Sequence, residues 1–485
     1  YIDFLHIVTY NFVTNKNVSN YSVFYRNLRM MFIGRKKELA QLRKALDGKN
    51  GGRILIYGRR RMGKTTLIRK ALEETEGIKV LYTALPIDLE GNAKALGDAV
   101  LKAIGIHSLR AESIDELFSF VNTRSEQITI AIDEYQDMKK RADSDYVDAL
   151  FRTAIDNLPA NVSIILSGSS IRLMGALLDE ENPLFQRFNL TMRIDEMDYI
   201  EAALFYPGRS IRDRIILYSV FGGIPLLTSS IDESISVEDN IISMLVDDNG
   251  IARNYLRSVI DTEISPIPDA FIILSALGNG KRHYTEILSH LSEEKSRTQL
   301  ARTLKSLINS GLIRKRSPIN SEKRKDAFYE IASNPIRFYF TYMLRVDDFV
   351  SISSKTFFSS FIEPSLTTFV SYRFEDMAKS YFSILTERGK RMDILRIGSY
   401  WYDDKEKKRN GEFDVVLYTD DGYEIYECKF LKSKATSSLV EEEKRKAMAI
   451  EKIPMRHFGI ISSSGFDEEK EKDVIFISGE DMYSV

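Results

Sequence analysis

The sequence predicts an α/β chain whose first large domain is a parallel sheet with helices on both faces. Three observations carry this. Short apolar strands alternate with helical stretches from residue 35 to residue 166. A glycine-bounded loop, Gly58-Arg59-Arg60-Arg61-Met62-Gly63-Lys64-Thr65, joins the first strand to the next helix. A later strand, Ile128-Thr129-Ile130-Ala131-Ile132, ends in Asp133-Glu134. Such alternation argues for a parallel sheet, because parallel neighbours need crossover helices that cover the faces.

Taken in order, residues 35–46 read as a helix, with Leu39, Leu42 and Leu46 apolar at helical spacing. Residues 53–57 are a short buried strand, 64–75 a helix, 79–83 a strand and 92–104 a helix. Residues 128–132 and 162–166 are strands, the second ending in Ser167-Gly168-Ser169. Residues 200–260 read as mostly helical, broken by the turn Phe221-Gly222-Gly223-Ile224-Pro225. From 268 to 333 the texture changes to three helices (269–277, 284–291, 296–309) and a hairpin starting at Gly311-Leu312-Ile313, the pattern of a winged helix. The segment 365–485 reads helix, strand, strand, helix, strand. These readings divide the chain into an N-terminal extension (1–30), a P-loop domain (31–200), a helical lid (201–265), a winged helix (266–345) and a C-terminal α/β domain (346–485).

Bulk composition sets limits. The 485 residues suffice for about three domains. With 44% hydrophobic and 28% charged residues the chain affords a sizeable core. The net charge of −2 leaves any basic surface local. The single cysteine, Cys428, excludes an internal disulfide and four-cysteine zinc sites, fits a reducing cytoplasm, and reads as buried and unreactive. No apolar run reaches the ~18 residues of a membrane helix. Residues 1–30 lack the basic start and apolar middle of a signal peptide. Met30 and Met31 directly precede the first good helical signals, so the functional chain is expected to begin there.

The loop pattern G-x-x-x-x-G-K-[ST] needs Gly58, Gly63, Lys64 and Thr65 together. The glycines let backbone N–H groups, from Gly58 through Thr66, curl around phosphate oxygens. Lys64 reaches the β/γ-phosphates, the Thr65 hydroxyl coordinates Mg²⁺, and the following helix N-terminus favours anions. Asp133 at a strand end would hold the metal through water, and Glu134 would polarise the attacking water. Ser169 is placed to sense the γ-phosphate, or forms a plain turn. Arg187 would bring positive charge to the transferring phosphate, or is an ordinary surface arginine. Together the segments point to ATP hydrolysis with Mg²⁺.

Phe32-Ile33-Gly34-Arg35-Lys36-Lys37-Glu38-Leu39, the loop Gly58–Thr65, Asp133-Glu134-Tyr135-Gln136, Ser167-Gly168-Ser169-Ser170, the Pro183–Arg187 segment and Gly222-Gly223-Ile224-Pro225 together resemble the archaeal-type ATPase family. Those proteins are similar to AAA+ and STAND ATPases. The resemblance spans about residues 31–430. It implies an ATPase core, a helical lid, a winged helix and a C-terminal domain like a restriction endonuclease. The chain departs from the family pattern at Phe185-Gln186, where Tyr-Gly is expected.

Between residues 251 and 340, 15 Lys plus Arg stand against 9 Asp plus Glu. Arg297, Arg302 and Lys305 fall on the third helix of the winged helix. Arg314, Lys315, Arg316, Lys323, Arg324 and Lys325 fall in the wing. Such a helix would enter a DNA groove and the wing would contact phosphates; a solvated basic face is the other reading.

Farther on, Glu375 lies on a helix, Asp414 on one strand and Glu427 with Lys429 on the next. Glu427 and Lys429 share a face because side chains alternate with period 2. Converging acids and a lysine would hold Mg²⁺ and position a water for phosphodiester attack. The set resembles the PD-(D/E)xK nuclease motif. The resemblance implies metal binding by Asp414 and Glu427, an accessory role for Glu375, and orientation of the nucleophile by Lys429. Two functions follow: an ATP-hydrolysing switch acting on DNA through the winged helix and this domain, or an ATP-dependent assembly switch whose C-terminal domain only docks. The partners implied are ATP, DNA and a second copy of the chain, with no membrane.

Overall fold

The computed structural model describes residues 32–106, 111–291, 297–321, 326–344, 352–404, 409–450, 453–468, 471 and 473–485. The expected extension over 1–30, Met31, and the wing residues Lys323, Arg324 and Lys325 lie outside them. The chain forms two units, one ending at Glu196 and the other running from Met197 to Val485.

The first unit contains α1 (Lys36–Leu46), β1 (Arg53–Tyr57), α2 (Lys64–Glu74), β2 (Ile78–Thr83), α3 (Leu89–Ile104), α4 (Ile114–Val121), β3 (Ile128–Asp133), α5 (Ser144–Asn157), β4 (Val162–Gly168) and β5 (Leu190–Arg193). The sheet order is β2-β3-β4-β1-β5, and every neighbouring pair is parallel. The strands expected from sequence appear with nearly the expected bounds. Their apolar runs are continuous because helices cover both faces. Ile54, Leu55, Ile56, Ile130, Ile132, Ile164 and Leu166 have no exposed surface. Burying each stabilises by about 1.5–3 kcal/mol. The order sets the carboxyl ends of β1, β4 and β3 side by side, and in open α/β sheets ligands bind at that edge.

In the second unit, α6 (Ile211–Phe221) ends at the expected Gly222-Gly223 turn. A Cβ on Gly223 would stand 1.8 Å from the Met197 carbonyl oxygen, so only glycine lets these segments pair. Next come α7 (Ala270–Gly278), β6 (Arg282–His283), α8 (Tyr284–Ser289), α9 (Arg297–Asn309), β7 (Ile313–Arg316) and β8 (Phe328–Ile331). The last two and β6 form an antiparallel sheet ordered β6-β8-β7. Three helices and a small hairpin sheet are the winged-helix arrangement. After α10 (Asn334–Phe338) the chain enters α11 (Glu363–Glu387), β9 (Ile394–Asp404), β10 (Arg409–Thr419), β11 (Gly422–Lys429), α12 (Ser437–Met448), β12 (Met455–Ser462) and β13 (Val474–Ser478). The five strands lie in order β13-β12-β11-β10-β9. β9, β10 and β11 are antiparallel to their neighbours, and β11, β12 and β13 are parallel.

One expectation about the wing is corrected. Arg314 and Arg316 are not free to contact phosphates. Arg314 pairs with Glu330 and Asp376, each at 2.5 Å. Arg316 pairs with Glu330 at 2.7 Å and Asp376 at 3.3 Å. Arg337 and Arg373 join the same two acids, at 2.9 Å to Glu330 and 3.0 Å to Asp376. Burial and nearby Asp376 push the Glu330 carboxyl up, but Arg314, Arg337 and Arg316 outweigh them and hold it at about 2. A carboxylate buried among arginines fixes its partners, because separating them leaves charge in a medium that cannot solvate it. Lys315, between them, is exposed.

Candidate functional site

The Gly58–Thr66 loop connects the end of β1 to the start of α2. Its backbone needs unusual conformations. Gly63 (φ 85°) caps α2 in the left-handed region, and Arg61 adopts φ 69°. A Cβ on Gly58 would stand 2.1 Å from the Ile194 carbonyl oxygen, so the close approach requires glycine. The Gly58 N–H donates to the Gly168 carbonyl at 3.3 Å, tying the loop to the end of β4. Met62 is buried beneath the loop, Arg59 is buried, Arg60 and Arg61 are exposed, and Thr66 is half-buried. Lys64 is 5% exposed, and its ammonium donates to the Gly58 and Arg59 carbonyls at 2.7 and 2.9 Å. The cation is thus held inside the loop's own curl.

Arg35 is a residue whose role was not read from sequence. It is 3% exposed, and its guanidinium donates to the Met62 carbonyl at 3.1 Å and the Asp195 carbonyl at 2.5 Å. It braces the loop from below. The signal was present in the Phe32–Leu39 segment, but an arginine one residue before a helix reads as a surface charge until its partners are known.

Across the sheet edge, Thr65 Oγ1 donates to Asp133 Oδ2 at 2.6 Å, and Ser167 Oγ donates to Asp133 Oδ1 at 2.8 Å. The loop, β3 and β4 therefore meet on one carboxylate. Thr65 and Asp133 present oxygen donors at one point, which suits a hard cation that retains several waters. Glu134 follows in the left-handed region (φ 54°), uncommon for a non-glycine residue. Its Oε2 accepts from Ser169 Oγ at 2.6 Å and Ser169 N at 3.2 Å, and also from Gln136 Nε2. Burial pushes the Glu134 carboxyl up, while the Ser169 and Gln136 hydrogen bonds and the Lys64 charge bring it below its ordinary value. Glu134 is thus ionised at neutral pH, the form able to accept a proton.

Arg187 is engaged elsewhere. It pairs with Asp156 on α5 at 2.7 Å and donates to the Phe185 carbonyl at 3.3 Å. The departure at Phe185-Gln186 has a physical counterpart: Gln186 adopts φ 56°, where glycine carries no Cβ penalty.

In the second unit, Val415 on β10 pairs with Tyr426 on β11, and Asp414 and Glu427 are the residues adjoining that pair along their strands. Lys429 lies 3.6 Å from Glu427 and 3.3 Å from Glu443, which α12 supplies. Burial, then Asp414, pushes the Glu375 carboxyl up to about 9. Burial raises Glu427 to about 7 against the Lys429 charge, and burial with Glu412 raises Asp414. Cys428 is only half-buried as a residue, yet its thiol is pushed well up by burial and these acids. The acids feel one another, but among the described residues no three His, Cys, Asp or Glu side chains are grouped to hold a metal ion.

Residues 32–227 match a family described as an ATPase domain predominantly from Archaea. Residues 339–447 match archaeal and bacterial proteins of unknown function. The chain is similar to an uncharacterized protein of Methanocaldococcus jannaschii, 27% identical over 395 residues, covering 80% of this chain and 85% of that one. A 44-residue segment is 48% identical to an uncharacterized ATP-binding protein of the same organism, covering 9% of this chain and 75% of that one. Among solved structures the chain is similar to a Walker-type ATPase of Pyrococcus abyssi, with a TM-score of 0.47 and 19% identity over 64% of this chain and 97% of that one. No helix among the described residues is long and apolar enough to cross a membrane.

Proposed function

We propose that in this P-loop ATPase, whose residues 32–227 match a family of ATPase domains found predominantly in Archaea, Glu134 takes the proton of the attacking water and turnover is coupled to DNA. One observation carries the hydrolytic assignment. Thr65, Asp133, Ser167, Glu134 and Ser169 form two linked hydrogen-bonded sets at the adjoining ends of β1, β3 and β4.

In this reading the N–H groups of Gly58–Thr66 cradle the phosphates. Lys64 exchanges its two backbone carbonyl partners for β/γ-phosphate oxygens. Thr65 and Asp133 would hold Mg²⁺, which supplies charge neutralisation on those oxygens when bound. Ser169 stands beside both Glu134 and, at 3.5 Å, Arg60 of the loop, a position suited to sensing the γ-phosphate.

The DNA assignment rests on α9. Arg297, Arg302 and Lys305 are exposed along it, whereas the wing arginines are committed to Glu330 and Asp376. The helix, more than the wing, supports DNA contact. Duplex DNA is expected to raise ATP turnover several-fold. In the Arg302→Glu/Lys305→Glu variant that ratio falls to one, and the slope of log affinity against log salt drops by about 1.8, about 0.9 per phosphate contact. Unchanged stimulation and slope would remove DNA from the account.

We read the C-terminal domain as a docking element, because Lys429 is already shared between Glu427, at 3.6 Å, and Glu443, at 3.3 Å.

A further inference from the structure

The turn after β3 carries a side chain that the hydrolytic assignment leaves without a task. Gln136 is 5% exposed and sits two residues beyond Glu134. Its Nε2 donates to Glu134 Oε2 and lies 3.4 Å from Ser169 Oγ. The amide orientation follows from chemistry: an ionised carboxylate only accepts, so nitrogen must face it. Three donors, Ser169 Oγ, Ser169 N and Gln136 Nε2, converge on the same oxygen, Oε2. Among the described residues none donates to Oε1.

The niche for this amide is built. A Cβ on Gly168 would stand 2.2 Å from Gln136 Oε1 and 2.4 Å from Met174 Sδ, so the glycine of Ser167-Gly168-Ser169 makes room for the side chain. Gln136 Oε1 is buried and has no hydrogen-bond partner among the described residues. An unpaired buried acceptor is costly, and retaining it suggests that the other end of the amide matters. The turn itself is braced: Tyr135 Oη donates to buried Asp148 at 2.8 Å, and Lys139 and Asn182 bind the same carboxylate at 2.5 and 2.9 Å.

We infer that Gln136 is a positioning residue for hydrolysis: together with Ser169 it pins Oε2 of Glu134 and so presents Oε1 to the attacking water. This rests on the reading of Glu134 as proton acceptor. A carboxylate held through one oxygen has its plane fixed, so the remaining oxygen points one way. Without Gln136 the carboxylate pivots about its Ser169 contacts, and misplacement on the scale of 1 Å costs about a hundredfold.

Gln136→Met keeps side-chain length and removes the donor. Its kcat is expected to fall about 10–100-fold, while KM and MgATP affinity stay within about threefold. Gly168→Ala, which displaces the amide without removing it, is expected to lower kcat in the same sense. Because Gln136 acts through Glu134, the double variant Glu134→Gln/Gln136→Met is expected to be no slower than Glu134→Gln alone. Wild-type kcat in both Gln136→Met and Gly168→Ala overturns the inference, as does a double variant whose losses multiply. If Glu134→Gln itself turns over normally, the reading beneath fails too. A normal Gln136→Met beside a dead Glu134→Gln sinks the positioning role alone.

Discussion

Lys64→Ala abolishes measurable MgATP binding. Lys64 is 5% exposed, and its ammonium is already carried inside the loop on the Gly58 and Arg59 carbonyls. Moving it to phosphate oxygens exchanges neutral acceptors for charged ones in a poorly hydrated pocket. Each charge-assisted hydrogen bond contributes about 1.5–3 kcal/mol. Losing two weakens binding by about 10²–10⁴-fold. The comparison is a calorimetric titration of wild type and variant with MgATP. A melt adds a second check, since saturating nucleotide raises the wild-type midpoint by mass action and should leave the variant unmoved. An affinity within tenfold of wild type would mean that the backbone cradle alone holds the phosphates.

Glu330→Ala destabilises the Met197–Val485 unit by about 3–5 kcal/mol, the cost of removing one partner from a buried ion network. Glu330 is 5% exposed, and Arg314, Arg316 and Arg337 all pair with it. Only Asp376 would remain to balance them with Arg373, and Arg337 would lose its paired carboxylate. The chain's single tryptophan reports on this region, because Trp401 stacks on Phe328 of β8 with ring centroids 5.9 Å apart. Urea unfolding followed by Trp401 fluorescence should show a clearly lower midpoint. A loss under about 1 kcal/mol would place the network among solvent-screened pairs.

Much of the first unit was legible because its signals are local. The strands at 53–57, 128–132 and 162–166 are unbroken apolar runs, and the loop announces itself by glycine, lysine and threonine at fixed spacing. β5 escaped because Leu190–Arg193 is four residues long at a sheet edge and half polar. The partners of Asp133 were partly legible: Thr65 by motif, but Ser167 only once β4 is known to lie beside β3. Gln136 was in plain view, yet its task depends on Glu134 entering the left-handed region, which no side-chain pattern encodes. The wing misled for a related reason. Arg314 and Arg316 are surface-like in a basic run, and their acids come from β8 and from α11, the latter 60 residues or more away. The C-terminal acids were found by spacing, but spacing could not show that burial raises them or that Glu443 shares Lys429.

In the proposed mechanism Glu134 accepts the water's proton in a site that binds nucleotide without it. The most direct measurement is single-turnover cleavage of bound ATP by wild type and Glu134→Gln, with MgATP affinity measured on the same preparations. Affinity should agree within about threefold, since Glu134 faces Ser169 and Gln136 rather than the cradle. The cleavage rate should fall by about 10²–10⁴-fold, the contribution of a positioned general base. Cleavage by Glu134→Gln at the wild-type rate would contradict the account.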